Sequence, residues 1–104
     1  LPSSFIERYC SKLKMNAELT KLSMFIAKKI EKLNLITDNI PHAIAAGIVY
    51  FVGNNCNLEV TKQDIKNVSG VSEVTINKCF KKLEFKKIDL LPKAIIQKYK
   101  CVID

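Results

Sequence analysis

A chain of 104 residues is long enough for one domain that buries roughly 65% of the surface its unfolded form exposes, and 48% hydrophobic with 26% charged residues excludes a disordered segment. It has no run of 18 apolar residues and no signal-peptide pattern, so no membrane partner is expected. The formal charge of +7 fits a nucleic acid or other polyanion as partner, through counterion release, and fits a solvated lysine surface equally well.

Ser4 and Glu7 have capping-box spacing and open a first helix through Phe5, Ile6, Tyr9, Cys10 and Leu13, ending near Lys14. Asn16 caps a second helix, Ala17 to about Leu33, in which Leu19, Leu22, Ile26, Ile30 and Leu33 recur at three and four residues. Its other face carries Glu18, Lys21, Lys28, Lys29 and Lys32, a row that reads as solvated or as lying along a phosphate backbone. After a loop from Asn34 to Ile40, Pro41 suits the first position of a third helix, where its missing N–H would have had no partner. From His42 to Val52 that helix is apolar nearly all round, which predicts burial on every side, and Ala43, Ala45, Ala46 and Gly47 let neighbours approach its axis. Asn54, Asn55, Cys56 and Asn57 form a turn cluster.

The stretch from Thr61 to Leu83 organises the rest. Thr61 and Asp64 make a capping box, Gly70 and Val71 form a turn, and Ser72 caps a second short helix. Ile65, Val68, Val71, Ile76, Phe80 and Leu83 are spaced so that two crossed helices share a small core. That is the layout of a helix-turn-helix, although many helical domains with a glycine turn never touch DNA. Phe85 to Pro92 reads as an irregular exit segment, and Lys93 to Cys101 as a short closing helix. No strand pattern is visible, so the fold class is all-α.

A catalytic site needs a nucleophile with a base, paired acids, a metal cluster or a glycine-rich phosphate loop, and the sequence offers none, so neither enzyme activity nor a cofactor is expected. The single histidine, His42, reads as a surface residue. Cysteines 10, 56, 79 and 101 lack metal-ligand spacing; Cys10 and Cys79 read as reduced core thiols, which favours a reducing compartment.

On the outward side of the second short helix, Val74 can touch a thymine methyl and Asn77 can bond an adenine edge in bidentate fashion. Glu73 either accepts from a cytosine amino group or supports the helix dipole. Lys62, Gln63, Ser72, Thr75, Lys78, Lys81 and Lys82 are the candidate phosphate contacts. Only Arg8 is arginine among the basic residues. Lysine lacks the planar fork that reads guanine, so this surface should grip backbone better than sequence.

The chain resembles the second cyclin-like repeat in the core of the general transcription factor TFIIB. The resemblance rests on FIERYCSKL, IAKKIEKLNLI, the small-residue PHAIAAGIVYF, VTKQDIKNVSGVSEVTINKCFKKL and the exit segment IDLLP. It implies a five-helix cyclin-like fold, with the helix-turn-helix at its last two helices docking in the major groove upstream of a TATA-like element. Implied partners are promoter double-stranded DNA, TATA-binding protein and the RNA polymerase machinery, in the nucleus, or in the cytoplasm of an archaeon or beside a virus transcribing there. In the family a valine matching Val74 and an arginine matching Asn77 touch the upstream element. Asparagine in place of that arginine shifts the expected preference from guanine towards adenine or weak selectivity. Ile40 stands where the family commonly has a serine cap. Residues 1–104 are expected to be a single domain, the C-terminal repeat of a longer factor. Two other readings are a stand-alone helix-turn-helix regulator, usually dimeric, and a cyclin-like scaffold that binds protein.

Overall fold

The computed structural model describes residues 1–103 and holds seven helices, with no strand among the described residues. The first, α1 (Ser3–Lys12), starts earlier than its predicted capping box. Pro2 takes the cap position without a side-chain hydrogen bond, and the Ser3 N–H donates to the Glu31 carboxylate at 2.6 Å. A charged acceptor from another helix thus replaces the local cap, and Ser4 and Glu7 lie inside α1. Asn16 caps α2 (Ala17–Leu33) as predicted, accepting the Leu19 N–H at 2.9 Å. Leu19, Leu22, Ile26 and Ile30 face the core, but Leu33 in the last turn is exposed.

Pro41 opens α3 (Pro41–Asn55), and Ile40 at its cap makes no side-chain bond. This helix extends through Asn54 and Asn55, which sequence reading assigned to a turn. Asn55 is buried with its amide satisfied: it donates to the Phe51 carbonyl one turn back at 2.9 Å and, far along the chain, to Glu84 at 3.0 Å. Only Cys56 and Asn57 remain in the turn. The next helices are α4 (Lys62–Ser69) and α5 (Glu73–Phe85), where the helix-turn-helix was expected. The exit segment is less irregular than predicted: it forms α6 (Lys87–Leu90), whose Leu90 is fully buried. The closing helix, α7 (Lys93–Tyr99), stops short of Cys101 because Lys100 turns into the left-handed region at φ 53°. Helices α1 to α5 occupy the five stretches that the resemblance implies, α7 is the closing helix read near Lys93, and α6 is the addition.

The fold is organised around α3, whose residues Ala43 to Val49, with Phe51 and Val52, are buried. Its most extensive helix contact is with α5. The reason is local. A Cβ added at Gly47 would lie 2.5 Å from the Cys79 Cβ, so only glycine lets the two backbones come this close. Fully buried Phe51, Ile65, Ile76 and Leu83 fill the space beside that crossing, each contributing about 1.5–3 kcal/mol of burial. Phe80 meets the Tyr50 ring edge-on at 4.9 Å. Cys10 and Cys79 are core thiols as read, pushed to higher pKa by burial. His42 is half-buried beside the Phe5 ring at 6.0 Å. At the other end Glu18 pairs with Lys98 at 2.9 Å and accepts from the Tyr99 hydroxyl, which fastens α7 to the start of α2.

Candidate nucleic-acid interface

The local sequence fixes the geometry of α4 and α5. Thr61 accepts the Asp64 N–H at 3.1 Å and Asp64 accepts the Thr61 N–H at 2.9 Å, the predicted reciprocal cap of α4. Gly70 ends that helix at φ 75°, a conformation that costs a residue with a Cβ about 1–2 kcal/mol. Ser69 braces the turn in a way the sequence did not reveal: its hydroxyl donates to the Ile65 carbonyl at 2.7 Å and accepts the Val71 N–H at 3.1 Å. Val71 is then buried between the helices. Ser72 caps α5, accepting the Thr75 N–H at 3.2 Å and donating to the Thr75 hydroxyl at 3.0 Å. The Thr75 proton remains available to a ligand, whereas the Ser72 hydroxyl is occupied by the cap.

Ile76, Cys79 and Leu83 point into the core, and this fixes which side of α5 faces outward. Val74 is 66% exposed there, with Lys78 and Lys81 exposed and Asn77 half-buried. These residues form one stripe, spaced by three, four and seven positions and about 10 Å long. Lys62 of α4 joins Glu73, Val74, Asn77, Lys78 and Lys81 around a single shallow depression. The Lys62 ammonium lies 5.5 Å from the Tyr50 ring centroid, so an aromatic from α3 holds it against the edge of the stripe. Nothing in the sequence pointed to Tyr50.

Three ammonium groups thus surround one carboxylate, Glu73, and none of the four belongs to an ion pair among the described residues. Gln63 lies outside this depression, exposed and donating to Asn67 at 3.1 Å. Lys82 departs from its expected role. Its ammonium is held by Asp38 at 2.8 Å and Asn39 at 2.6 Å, so it ties α5 to the loop before α3 and is not a free cation. That hydrogen bond holds the Asp38 carboxyl below the usual range. Among the described residues no group of three His, Cys, Asp or Glu side chains is placed to hold a metal.

An exposed stripe with one apolar, one amide and several cationic groups, on a helix held by a rigid turn, has the chemistry to meet base edges and phosphates together. Comparison with known proteins gives the same direction. The family model described as transcription factor TFIIB repeat matches residues 1–86. The chain is 35% identical over 96 residues to transcription initiation factor IIB of Encephalitozoon cuniculi, covering 91% of this chain and 31% of that protein. It is 32% identical over 88 residues to the Dictyostelium discoideum factor of that name, covering 85% of this chain and 27% of that one. It is also 32% identical over 82 residues to that of Archaeoglobus fulgidus, covering 79% and 25%. The chain therefore spans about a third or less of the length of these relatives.

Proposed function

The chain belongs to the TFIIB repeat family, with the all-helical, cyclin-like fold of that repeat, and on this premise we propose that it is the DNA-binding C-terminal repeat of a TFIIB-like initiation factor. In this reading residues 1–104 are one module of a longer factor. It acts beside TATA-binding protein and the RNA polymerase machinery, in a nucleus or wherever an archaeon or virus transcribes. The observation that carries the reading is the depression joining Lys62, Val74, Asn77, Lys78 and Lys81 on the outward side of the helix-turn-helix.

In the major groove, Val74 meets a thymine methyl and Asn77 bonds the N6 and N7 edge of adenine. Glu73 accepts from a cytosine amino group. Lys62, Lys78 and Lys81 neutralise phosphates, with Gln63 and Thr75 as uncharged donors and the capped N-terminus at Ser72 turned to the backbone. Lys82 keeps the loop before α3 in place and does not grip phosphate in this account. With few phosphate contacts the module binds weakly alone, and each phosphate neutralised adds about 0.9 to the log–log salt slope.

The experiment is promoter selection in the presence of TATA-binding protein, across a panel of upstream sequences. Val74→Ala combined with Asn77→Ala should flatten a preference worth about 1–3 kcal/mol per bidentate contact while leaving the melting temperature unchanged. A variant that discriminates as the unaltered chain does would show that these residues read no bases. Lys78→Ala should lower the salt slope by about 1 with the sequence preference intact.

A further inference from the structure

The cysteines of this chain are not equivalent. Cys10 and Cys79 are wholly buried, Cys10 against the Ser23 and Thr20 hydroxyls, and neither has another thiol beside it among the described residues. Cys56 and Cys101 meet. Cys56 stands at the C-terminal cap of α3 and is buried, while Cys101 follows α7 and is half-buried. The Cys56 thiol donates to the Cys101 sulfur, and the Cys101 thiol donates in turn to the Asn55 carbonyl at 3.3 Å. Backbone and amide groups hold the two segments together around this contact. The Cys101 N–H donates to the Ile96 carbonyl and the Asn57 amide to the Tyr99 carbonyl, both at 3.0 Å.

Cys101 also opens to water where Cys56 does not. It lines a concavity of about 260 Å³ with Asn54, Asn57, Glu84, Lys87 and Lys100. Glu84 is matched by Lys87 at 2.9 Å, whereas Lys100 is exposed and has no acidic partner among the described residues. The concavity is thus lined by amides and carries a surplus positive charge. That chemistry suits a small reagent bearing carboxylates and peptide groups.

We propose that Cys56 and Cys101 form a redox-sensitive dithiol, and that the concavity admits the anionic low-molecular-weight disulfide that oxidises it. The Cys101 thiolate attacks one sulfur of that disulfide, breaks its S–S bond and releases one small thiol. Cys56 then loses its proton and attacks the Cys101 Sγ of the mixed disulfide, which expels the second small thiol. Both protein thiols are oxidised, the small disulfide is reduced, and the two protons leave on the released thiols. The new bond ties the end of α3 to the end of α7 and closes a loop that holds α4 and α5. Restricting so long a loop in the unfolded chain makes the oxidised form the more stable one. Burial pushes both thiols above their ordinary range, so exchange is slow near neutral pH and the pair rests as the dithiol in a reducing compartment.

The test is incubation of the full chain with oxidised glutathione, followed by peptide mass spectrometry without reductant and by thermal melting. A Cys56–Cys101 peptide should form, Cys10 and Cys79 should stay free, and the melting temperature should rise by about 8 °C or more, reversibly with dithiothreitol. Cys56→Ser should stop at glutathione attached to Cys101 and gain no stability; Cys56→Ala gives the same reading should serine disturb the fold. Lys100→Glu should slow the reaction with oxidised glutathione about threefold or more, and leave that with neutral bis(2-hydroxyethyl) disulfide unchanged. Equal rates for Lys100→Glu and the unaltered chain overturn the role of the concavity. Glutathione that stays on Cys101 of the unaltered chain, or no reaction at all, overturns the dithiol. So does a bond to Cys10, to Cys79 or between two copies, or a Cys56–Cys101 bond that leaves the melting temperature unmoved.

Discussion

Replacing Gly47 by alanine perturbs the crossing on which the position of α5 depends. The added Cβ would sit 2.5 Å from the Cys79 Cβ, whereas carbons in contact are about 3.5–4.0 Å apart, so the helices must separate by about 1 Å or more. A Cβ hangs directly from the backbone, and no side-chain rotation moves it. The overlap therefore falls towards the upper end of the 1–3 kcal/mol typical of overpacking, about 3 kcal/mol. Alanine returns about 1 kcal/mol as the better helix former, leaving a net loss of about 2 kcal/mol. For a domain of this size that lowers the melting temperature by about 8–16 °C, read by far-ultraviolet circular dichroism. Cys79→Ala keeps the offending atom and should give no rescue. Cys79→Gly removes it, so the cost of Gly47→Ala should shrink by about 1 kcal/mol or more in that background. A Gly47→Ala protein that melts at or above the unaltered chain, or a cost unchanged beside Cys79→Gly, would refute the reasoning.

Other positions give independent checks. Gly70→Ala meets no atom within 4 Å, so its cost should be conformational alone, about 1–2 kcal/mol in urea unfolding, with Gly70→Asn milder; equal stability of all three would remove the left-handed turn from the account. Lys82→Met should raise the Asp38 titration midpoint followed by nuclear magnetic resonance. Because the Asp38 pKa is lowered in the fold, its contribution to stability is present above about pH 3.9 and lost as pH falls through the lower folded value, and that acid-linked loss should shrink in the variant, which keeps only the backbone hydrogen bond to the carboxylate. Burial pushes the Cys56 thiol up to about 12, so iodoacetamide near neutral pH should label it only after denaturant is added. Native labelling at the unfolded rate would contradict that environment. The raised value also keeps its contribution to stability intact below about pH 8.5, with loss as pH climbs towards 12.

Helix starts were legible where the capping partner is local: Asn16, Thr61 with Asp64, and Ser72 each bond an N–H three residues on. They were not legible where the partner comes from far along the chain. Glu31 supplants the Ser4–Glu7 box, and Glu84 keeps Asn55 inside α3. The buried, small-residue third helix was readable because apolarity all round leaves no face for water, and Gly47 against Cys79 gives that reading its physical content. The outward side of α5 followed from the inward spacing of Ile76, Cys79 and Leu83. Which lysines on it are free did not follow. Charge pattern alone cannot separate Lys81, which is unpaired, from Lys82, which Asp38 holds across 44 residues. The meeting of Cys56 with Cys101 was equally hidden, since cysteines far apart along the chain show no pairing signal until the fold joins them.

The most direct test of the interface is photo-crosslinking with TATA-binding protein and promoter duplex. A photoreactive residue replaces Asn77 in one protein and Lys28, exposed on α2, in another. The account predicts that the group at position 77 attaches to DNA upstream of the TATA-like element and that the group at position 28 does not. Attachment from position 28 with none from position 77 would put the DNA on the lysine face of α2 and contradict the reading of α5.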